Sequence, residues 1–258
     1  MNIEPITDPA QRRGLWVELA VVGVLTFGMS AIFAVLSLVE AQLTGGIGQS
    51  TVALNPSRSP IGWIDFARQS LSVVRLGGIA ALACYLLWRS GIRLSAVGIT
   101  RRPTAGDLPV GIGLAVLIGV PGLGLVVVAH LLGANAALVP SDPSGPWWQA
   151  PVLIAVAIGN AVAEEVVVVA YLLVRLRQLG LPDGRALACS ALLRGTYHLY
   201  QGIGGGLGNI VMGLVFGRFY QRTNRLWPLV VAHALIDVVA FVGFLLIGDR
   251  LGLAAVQR

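Results

Sequence analysis

Long apolar runs that carry almost no charge are the feature that most constrains how this chain can fold. Most of them approach the ~20 residues that an α-helix needs to cross about 30 Å of hydrocarbon, and they recur along most of the 258 residues. Only 12% of the residues are charged, against about 25% in soluble domains. Because backbone groups must be hydrogen-bonded internally within a bilayer, the pattern predicts an integral membrane protein built from helices.

Hydropathy divides the chain into seven predicted spans, or eight if the last one is broken. The predicted fold class is therefore an all-α, polytopic transmembrane helix bundle of seven to eight spans. Residues 1–150 are interpreted as an N-terminal transmembrane region with three spans and outer loops, and residues 151–250 as a transmembrane core that carries the function. The Gly-rich stretch 202–209 is interpreted as a turn. The predicted spans are 15–38, 70–88, 108–133, 151–174, 186–203, 207–221 and 226–247.

The arginines predict the orientation of these spans. On the span map, twelve arginines lie on the side of the N-terminus and four on the other. Since cytoplasmic loops carry the excess of basic residues, the N-terminus is predicted to be cytoplasmic, in a bacterial-type plasma membrane. The arginines form no basic patch interleaved with aromatic residues, so nucleic acid is not an expected partner. The twelve are Arg12, Arg13, Arg89, Arg93, Arg101, Arg102, Arg175, Arg177, Arg185, Arg218, Arg222 and Arg225, and the four are Arg58, Arg68, Arg250 and Arg258.

Polar side chains are few in the later spans, and they form three stripes. Each stripe contains two polar residues that are four apart and so share one face of a helix. All three stripes fall between the predicted cytoplasmic interface and the midplane. Intramembrane ionisable residues are costly and usually functional. The stripes are Asn160, Glu164 and Glu165 in the fourth span, Arg194, Tyr197 and His198 in the fifth, and His233 and Asp237 in the seventh.

Acids and imidazoles brought together at one depth support hydrolysis. A buried glutamate with a histidine can deprotonate water, while a second histidine with an aspartate can stabilise an oxyanion. Glu164, His198 and His233 are equally a ligand set for catalytic zinc, with an open fourth position. The residues alone leave two alternatives open: an enzyme without a cofactor, and an enzyme that uses a divalent metal such as zinc. In both cases the reaction is hydrolysis of an amide.

The order of the motifs resembles that of the CPBP intramembrane proteases, which include CAAX prenyl proteases, bacteriocin-processing enzymes and the Ras-converting endopeptidase. The family motifs EExxxR, FxxxH and HxxxN or HxxxD resemble EEVVVV from Glu164, RGTYH ending at His198 and HALID from His233 to Asp237. The resemblance covers about residues 150–247. It implies an intramembrane endopeptidase that acts near the cytoplasmic half of the bilayer on a membrane-tethered peptide or protein, with prenylated CAAX chains among the candidate substrates.

The resemblance also implies roles for individual residues. Glu164, with Glu165 beside it, and His198 would activate water, and His233 and Asp237 would stabilise the oxyanion. The supporting residues are Arg194, Asn160 and Tyr197. Whether such an enzyme is a metalloprotease or a glutamate protease stays open.

Two positions depart from the family motifs. The arginine of EExxxR is replaced by Val169, and the phenylalanine of FxxxH is replaced by Arg194. Since intramembrane charges are generally paired, the hypothesis is that Arg194 supplies from the fifth span the cation missing from the fourth. Neighbouring residues on a helix point about 100° apart. Glu165 is therefore predicted to face Arg194 while Glu164 faces the water.

Two other classes of protein are compatible with the same residues. A proton-coupled transporter would use the carboxylates and histidines as a proton relay, but such transporters usually contain repeats with broken helices, and none is visible in the sequence. A catalytically silent membrane binding or immunity protein would keep the bundle without the reaction. The oligomeric state is left open.

Overall fold

The computed structural model describes residues 3–99, 102–139 and 146–243. Within these ranges, α-helices form a bundle with one short parallel sheet of two strands. The elements are α1 (Pro9–Leu25), α2 (Phe27–Leu43), β1 (Thr51–Ala53), α3 (Gly62–Arg89), α4 (Asp107–Leu131), β2 (Ala137–Val139), α5 (Gln149–Glu164), a π-helix (Glu165–Tyr171), α6 (Leu172–Gln178), α7 (Asp183–Tyr197), α8 (Ile203–Thr223), α9 (Trp227–Val238) and a second π-helix (Val239–Gly243). Short 3₁₀ turns lie at Ile47–Gln49, Leu94–Val97 and Leu199–Gln201.

The predicted helical class is confirmed, whereas the predicted seven to eight spans are not. Among the described residues, three helices are long and apolar enough to cross a membrane: α3, α4 and the continuous helix Gln149–Gln178. Helices α1 and α2 provide a fourth if the bent pair is one span. Each predicted span corresponds to helix within the described residues, and the last four residues of the seventh, 244–247, lie outside them. However, α7 has only 15 residues, about 22 Å at 1.5 Å per residue.

The first predicted span, 15–38, is interrupted at Thr26. Here α1 and α2 meet at an angle of 53°, and the backbone of Thr26 leaves the helical region (φ −132°, ψ −127°). The bend depends on Gly28, since a Cβ at this position would lie 2.6 Å from the carbonyl oxygen of Gly23. The apolar pattern continues through the bend, which is why hydropathy did not predict it.

Glycine contacts bring α7 and α8 close together. A Cβ on Gly195 would lie 2.7 Å from the carbonyl oxygen of Gly206, and one on Gly213 would lie 2.8 Å from the Cα of Ala191. The predicted turn at 202–209 is wrong, because only Gly202 (φ +116°) is in a turn and the following glycines begin α8. Small residues at a helix–helix contact allow close packing, which outweighs their poor helix propensity.

A short sheet pairs the segment between α2 and α3 with the segment that follows α4. Strands β1 and β2 pair in parallel, from Thr51 opposite Ala137 to Ala53 opposite Val139. Just before β2, Asn135 forms a bridge with Gly202, and its side-chain oxygen accepts a hydrogen bond from the Gly205 amide at 3.2 Å. Neither strand was predicted from the sequence. Asn135 therefore connects the start of β2 to the turn between α7 and α8.

The main hydrophobic core combines residues from both predicted regions of the chain. Val22, Leu87 and Val97 from the N-terminal part pack in one cluster with Leu173 and Phe216. The N-terminal helices therefore pack directly against the helices that carry the polar stripes. The boundary at residue 150 stays a prediction.

Candidate active site

Glu164 and Glu165 lie in the middle of the 30-residue helix Gln149–Gln178, where α5 passes into the π-helix. Glu165 is completely buried and Glu164 is 8% exposed. Single-turn π segments within α-helices occur often at functional sites. Here the changed helical geometry begins at the second glutamate, which turns its side chain towards α7 and α9.

The contact predicted between Glu165 and Arg194 is confirmed. Arg194 is fully buried, and its Nη2 donates to Glu165 Oε1 at 2.6 Å. The same carboxylate oxygen lies 2.8 Å from Nδ1 of His233 on α9. Glu165 thus joins three helices through one oxygen, and both buried charges are paired, as intramembrane charges generally are. On α8, the Phe216 ring lies 5.9 Å from the guanidinium carbon of Arg194.

Glu164 faces a separate set of donors. Its Oε2 accepts a short hydrogen bond from the hydroxyl of Tyr197. The same oxygen lies 4.0 Å from Arg194 Nη1 and 4.0 Å from His233 Nε2. Two hydrogen bonds of about 2.8 Å that meet near a right angle at a water oxygen span about 4.0 Å. These separations therefore fit a water molecule held against Glu164.

His198 ends α7 and is oriented by the backbone. Its Nδ1 lies 2.9 Å from the carbonyl oxygen of Arg194. Since a carbonyl only accepts, Nδ1 carries the proton and Nε2 is left as the basic nitrogen. The ring packs between the side chains of Tyr197 (4.6 Å between centroids) and Tyr200 (6.3 Å). It lies within electrostatic range of Glu164 and His233.

The remaining predicted site residues differ in how closely they join the cluster. Asp237 is on the same face of α9 as His233, with Oδ1 3.7 Å from His233 Nε2. Asn160 is partly buried one turn before Glu164. In the described ranges no hydrogen bond joins it to the other site residues.

The predicted zinc ligands do not fit a metal ion. Within the described residues, no group of three or more His, Cys, Asp or Glu side chains is arranged to hold one. Glu164 is engaged by Tyr197 and has the Arg194 guanidinium 4.0 Å away, where a divalent cation would be repelled. The donor set favours the metal-free alternative.

Two contributors to the site were not among the predicted residues. Ser190, one turn before Arg194 on α7, donates to the carbonyl of Val168 within the π-helix at 2.6 Å, and Phe216 packs against the arginine. The spacing of Ser190 and Arg194 is the i, i+4 pattern that singled out the other stripes, and it was available in the sequence. The π-helix has no comparable signal, because a run of four valines also fits an α-helix.

Three buried polar groups at the centre have no hydrogen-bond partner among the described residues. They are Oε2 of Glu165 and Nε and Nη1 of Arg194. Unpaired polar groups in a dry interior are costly, so these atoms mark the place where water or a polar substrate group is expected to bind.

Comparison with known proteins agrees with this geometry. Residues 146–239 match the family model described as type II CAAX prenyl endopeptidase Rce1-like. No curated protein and no solved structure gives a match. The matched segment contains all the site residues described above, from Asn160 to Asp237. The apolar helices and this family together indicate an integral membrane protein, and the family implies a protease. The resemblance predicted from the sequence is thereby confirmed, and residues 146–239 form a domain of the Rce1-like family of type II CAAX prenyl endopeptidases.

Proposed function

We propose that this protein is an intramembrane endopeptidase that cleaves a membrane-tethered peptide, prenylated CAAX chains included, with a water molecule activated by Glu164. The observation that carries the proposal is the pair of 4.0 Å separations from Glu164 Oε2 to Arg194 Nη1 and to His233 Nε2. A water molecule that hydrogen-bonds to the carboxylate and to both nitrogens is compatible with these separations. Carboxylate and imidazole groups are the residues that general acid–base catalysis uses most often.

In the proposed reaction, the Glu164 carboxylate takes a proton from the water molecule. At the same time, the water oxygen attacks the carbonyl carbon of the scissile bond. The carbonyl electrons move to the oxygen and form a tetrahedral oxyanion. An imidazolium at His233 would donate Nε2–H to this oxyanion, with Asp237 beside it. When the C–N bond breaks, the proton from Glu164 goes to the leaving nitrogen, and the products are a carboxylic acid and an amine.

His198 is the second base of the proposal. Its Nδ1 is held by the Arg194 carbonyl, so Nε2 is free to share the water proton with Glu164. Glu165 and Arg194 act differently, as positioning residues. Their ion pair fixes α5, α7 and α9 relative to one another and keeps Nη1 of the arginine beside Glu164.

The test is cleavage by the full-length protein reconstituted in lipid vesicles. The probes are a farnesylated CAAX peptide and the same peptide without the farnesyl group, with products identified by mass spectrometry. Glu164→Gln keeps the shape of the side chain but removes the base, so we expect at least a 100-fold loss of cleavage, within the range for general base catalysis. Glu40→Gln is the matched control, because Glu40 is an exposed carboxylate near the end of α2.

Equal cleavage by wild type and Glu164→Gln would contradict the proposal. Folded wild type that cleaves neither probe would also contradict it. Binding of a partner's transmembrane helix would then indicate a silent binding or immunity protein, and proton conduction would indicate a transporter. Cleavage of both peptides at the same rate would keep the protease and remove prenylation from its substrate requirements.

A further inference from the structure

An open cleft lies between α4, α7 and α8, outside the candidate active site. It encloses about 560 Å³, which is within the usual range of ligand pockets. Its apolar lining comes from Leu114 on α4, Leu187 on α7, and Leu214, Val215 and Phe219 on α8. These residues lie within helices, where backbone groups are already bonded within the helix. This part of the cleft can hold an apolar chain but offers nothing to the backbone of a peptide.

Two arginines occupy one end of the cleft. Arg218 and Arg222 lie one turn apart near the end of α8 and are exposed. Arg218 contacts Gln221 Oε1 at 3.4 Å. Across the described ranges, neither arginine has an acidic side chain within ion-pair distance.

Neighbouring arginines at the same end of the bundle are neutralised. Arg225 pairs with Asp107 at 2.6 Å, and Arg177 pairs with Asp183 at 2.9 Å. Arg218 and Arg222 thus keep their positive charge at the mouth of the cleft. An anionic group is the complementary ligand.

The apolar part lies deeper than the charges. Leu214 is nine residues before the end of α8 and Leu114 seven residues after the start of α4, about 10–14 Å into the bundle at 1.5 Å per residue. We infer that this cleft is a binding site for an anionic phospholipid, with the phosphate at Arg218 and Arg222 and an acyl chain along the apolar lining. Basic pockets between helices are a recognised form of anionic lipid site. The inference does not depend on the proposed hydrolysis.

A lipid bound in the cleft would stabilise the packing of α7 and α8, which contribute to the candidate active site. Leu187, which lines the cleft, also closely contacts α8, because a Cβ on Gly217 would lie 2.5 Å from Leu187 Cδ1. The adjacent Phe216 packs against Arg194 on the inner side of α8. A lipid seated here is therefore expected to stabilise the folded protein.

The experiment measures lipid binding to the purified full-length protein in detergent, by native mass spectrometry. The probes are phosphatidylglycerol and phosphatidylcholine with identical acyl chains. We expect wild type to bind one phosphatidylglycerol with clear preference and to gain thermal stability from it. In Arg218→Gln/Arg222→Gln, affinity for phosphatidylglycerol should fall about 30-fold, the effect expected for two basic residues at a membrane surface.

Two further variants separate the parts of the site. Arg89→Gln/Arg93→Gln removes two exposed arginines outside the cleft and should bind phosphatidylglycerol like wild type. Leu214→Trp fills the apolar part without changing charge and should weaken binding while thermal unfolding stays cooperative. Equal binding of the two lipids would overturn the proposal. So would an equal loss of affinity for phosphatidylglycerol in both double variants, or full displacement of phosphatidylglycerol by glycerol 1-phosphate alone.

Discussion

Arg194 shows how one residue can replace another that lies on a different helix. The family motif has its cation five residues after the first glutamate, where this chain has Val169. Here the cation comes from α7 and reaches Glu165 at 2.6 Å. A buried carboxylate needs a partner of opposite charge, but the partner's position in the sequence is free. The charge balance of the site is kept although both motif positions differ.

Replacing Arg194 by Ala should therefore destabilise the protein and abolish cleavage. The change leaves Glu165 buried with its main counter-charge removed, which costs about 3–5 kcal/mol. Adding Val169→Arg to this variant should restore part of the stability, because residue 169 follows Glu165 by four positions along the same helix. Thermal unfolding in detergent measures both effects.

Arg89→Ala is the control for that pair, since Arg89 is exposed at the end of α3 and its loss should be neutral. A double variant no more stable than Arg194→Ala would mean that the cation cannot be supplied from the long helix. A stable Arg194→Ala protein would show that the pair is not needed for folding.

Tyr197 offers a milder test of the same site. Tyr197→Phe removes the hydroxyl that donates to Glu164 and keeps the ring, which packs 5.0 Å from Phe27. A hydrogen bond to a charged group contributes about 1.5–3 kcal/mol to stability, so the unfolding temperature should fall by roughly 3–12 °C. The value of kcat for the farnesylated peptide should also fall, because Glu164 loses the donor that orients it. Unchanged kcat would remove Tyr197 from the positioning of Glu164.

The sequence predicted which residues form the site better than it predicted which of their atoms contact one another. The i, i+4 spacings brought out Glu164, His198 and His233 because polar residues are rare in apolar helices. Spacing on one helix does not say which nitrogen of His233 meets which carboxylate on another. The structure pairs its Nδ1 with Glu165 and leaves its Nε2 towards Glu164 and Asp237.

Among the helices, α7 and α8 depend most on glycine. Gly195→Ala should destabilise the protein by about 1–3 kcal/mol, the usual cost of overpacking, because the new Cβ would lie 2.7 Å from the backbone oxygen of Gly206. Displacement of α7 should also lower cleavage, since His198 is three residues away. Unfolding temperature and kcat are the two measurements.

Gly113→Ala on α4 is the matched control. No atom lies within 4 Å of a Cβ built there, so this variant should be as stable as wild type. If Gly195→Ala were equally harmless, the close approach of α7 and α8 would not be a source of stability.

Element types were predictable where hydropathy alone decides, and not where packing decides. Apolar runs located the helices within the described residues, but the bend at Thr26 depends on the fit of Gly28 against Gly23. Glycines at the start of α8 were interpreted as a turn because isolated glycine disfavours helix, whereas buried contacts reverse that preference. Strands of three residues leave no period to detect. The features that depend on tertiary contacts could therefore not be predicted from the sequence.

At the scale of the whole molecule, a second buried ion pair connects the N-terminal helices to the domain of residues 146–239. Arg175 on α6 is completely buried, and its Nε donates to Glu18 on α1 at 2.8 Å. Its other nitrogens donate to the Leu86 carbonyl and to Ser90 at the end of α3, both at 2.9 Å. Tyr171 also donates to Glu18. One guanidinium thus joins α1, α3 and α6.

Glu18→Gln should weaken this connection throughout the molecule, because it leaves Arg175 buried without its counter-charge. Glu18 is partly exposed, so we expect about 3 kcal/mol, the lower end of the range for a broken buried pair. That loss corresponds to a fall of roughly 6 °C or more in unfolding temperature for a chain of this size. Since α1 and α3 pack against the domain of residues 146–239, unfolding should remain a single transition at the lower temperature, with Glu40→Gln again unchanged. Two separate transitions would instead mean that residues 1–150 form an independent unit, and an unchanged midpoint would mean that apolar packing alone holds α1 in place.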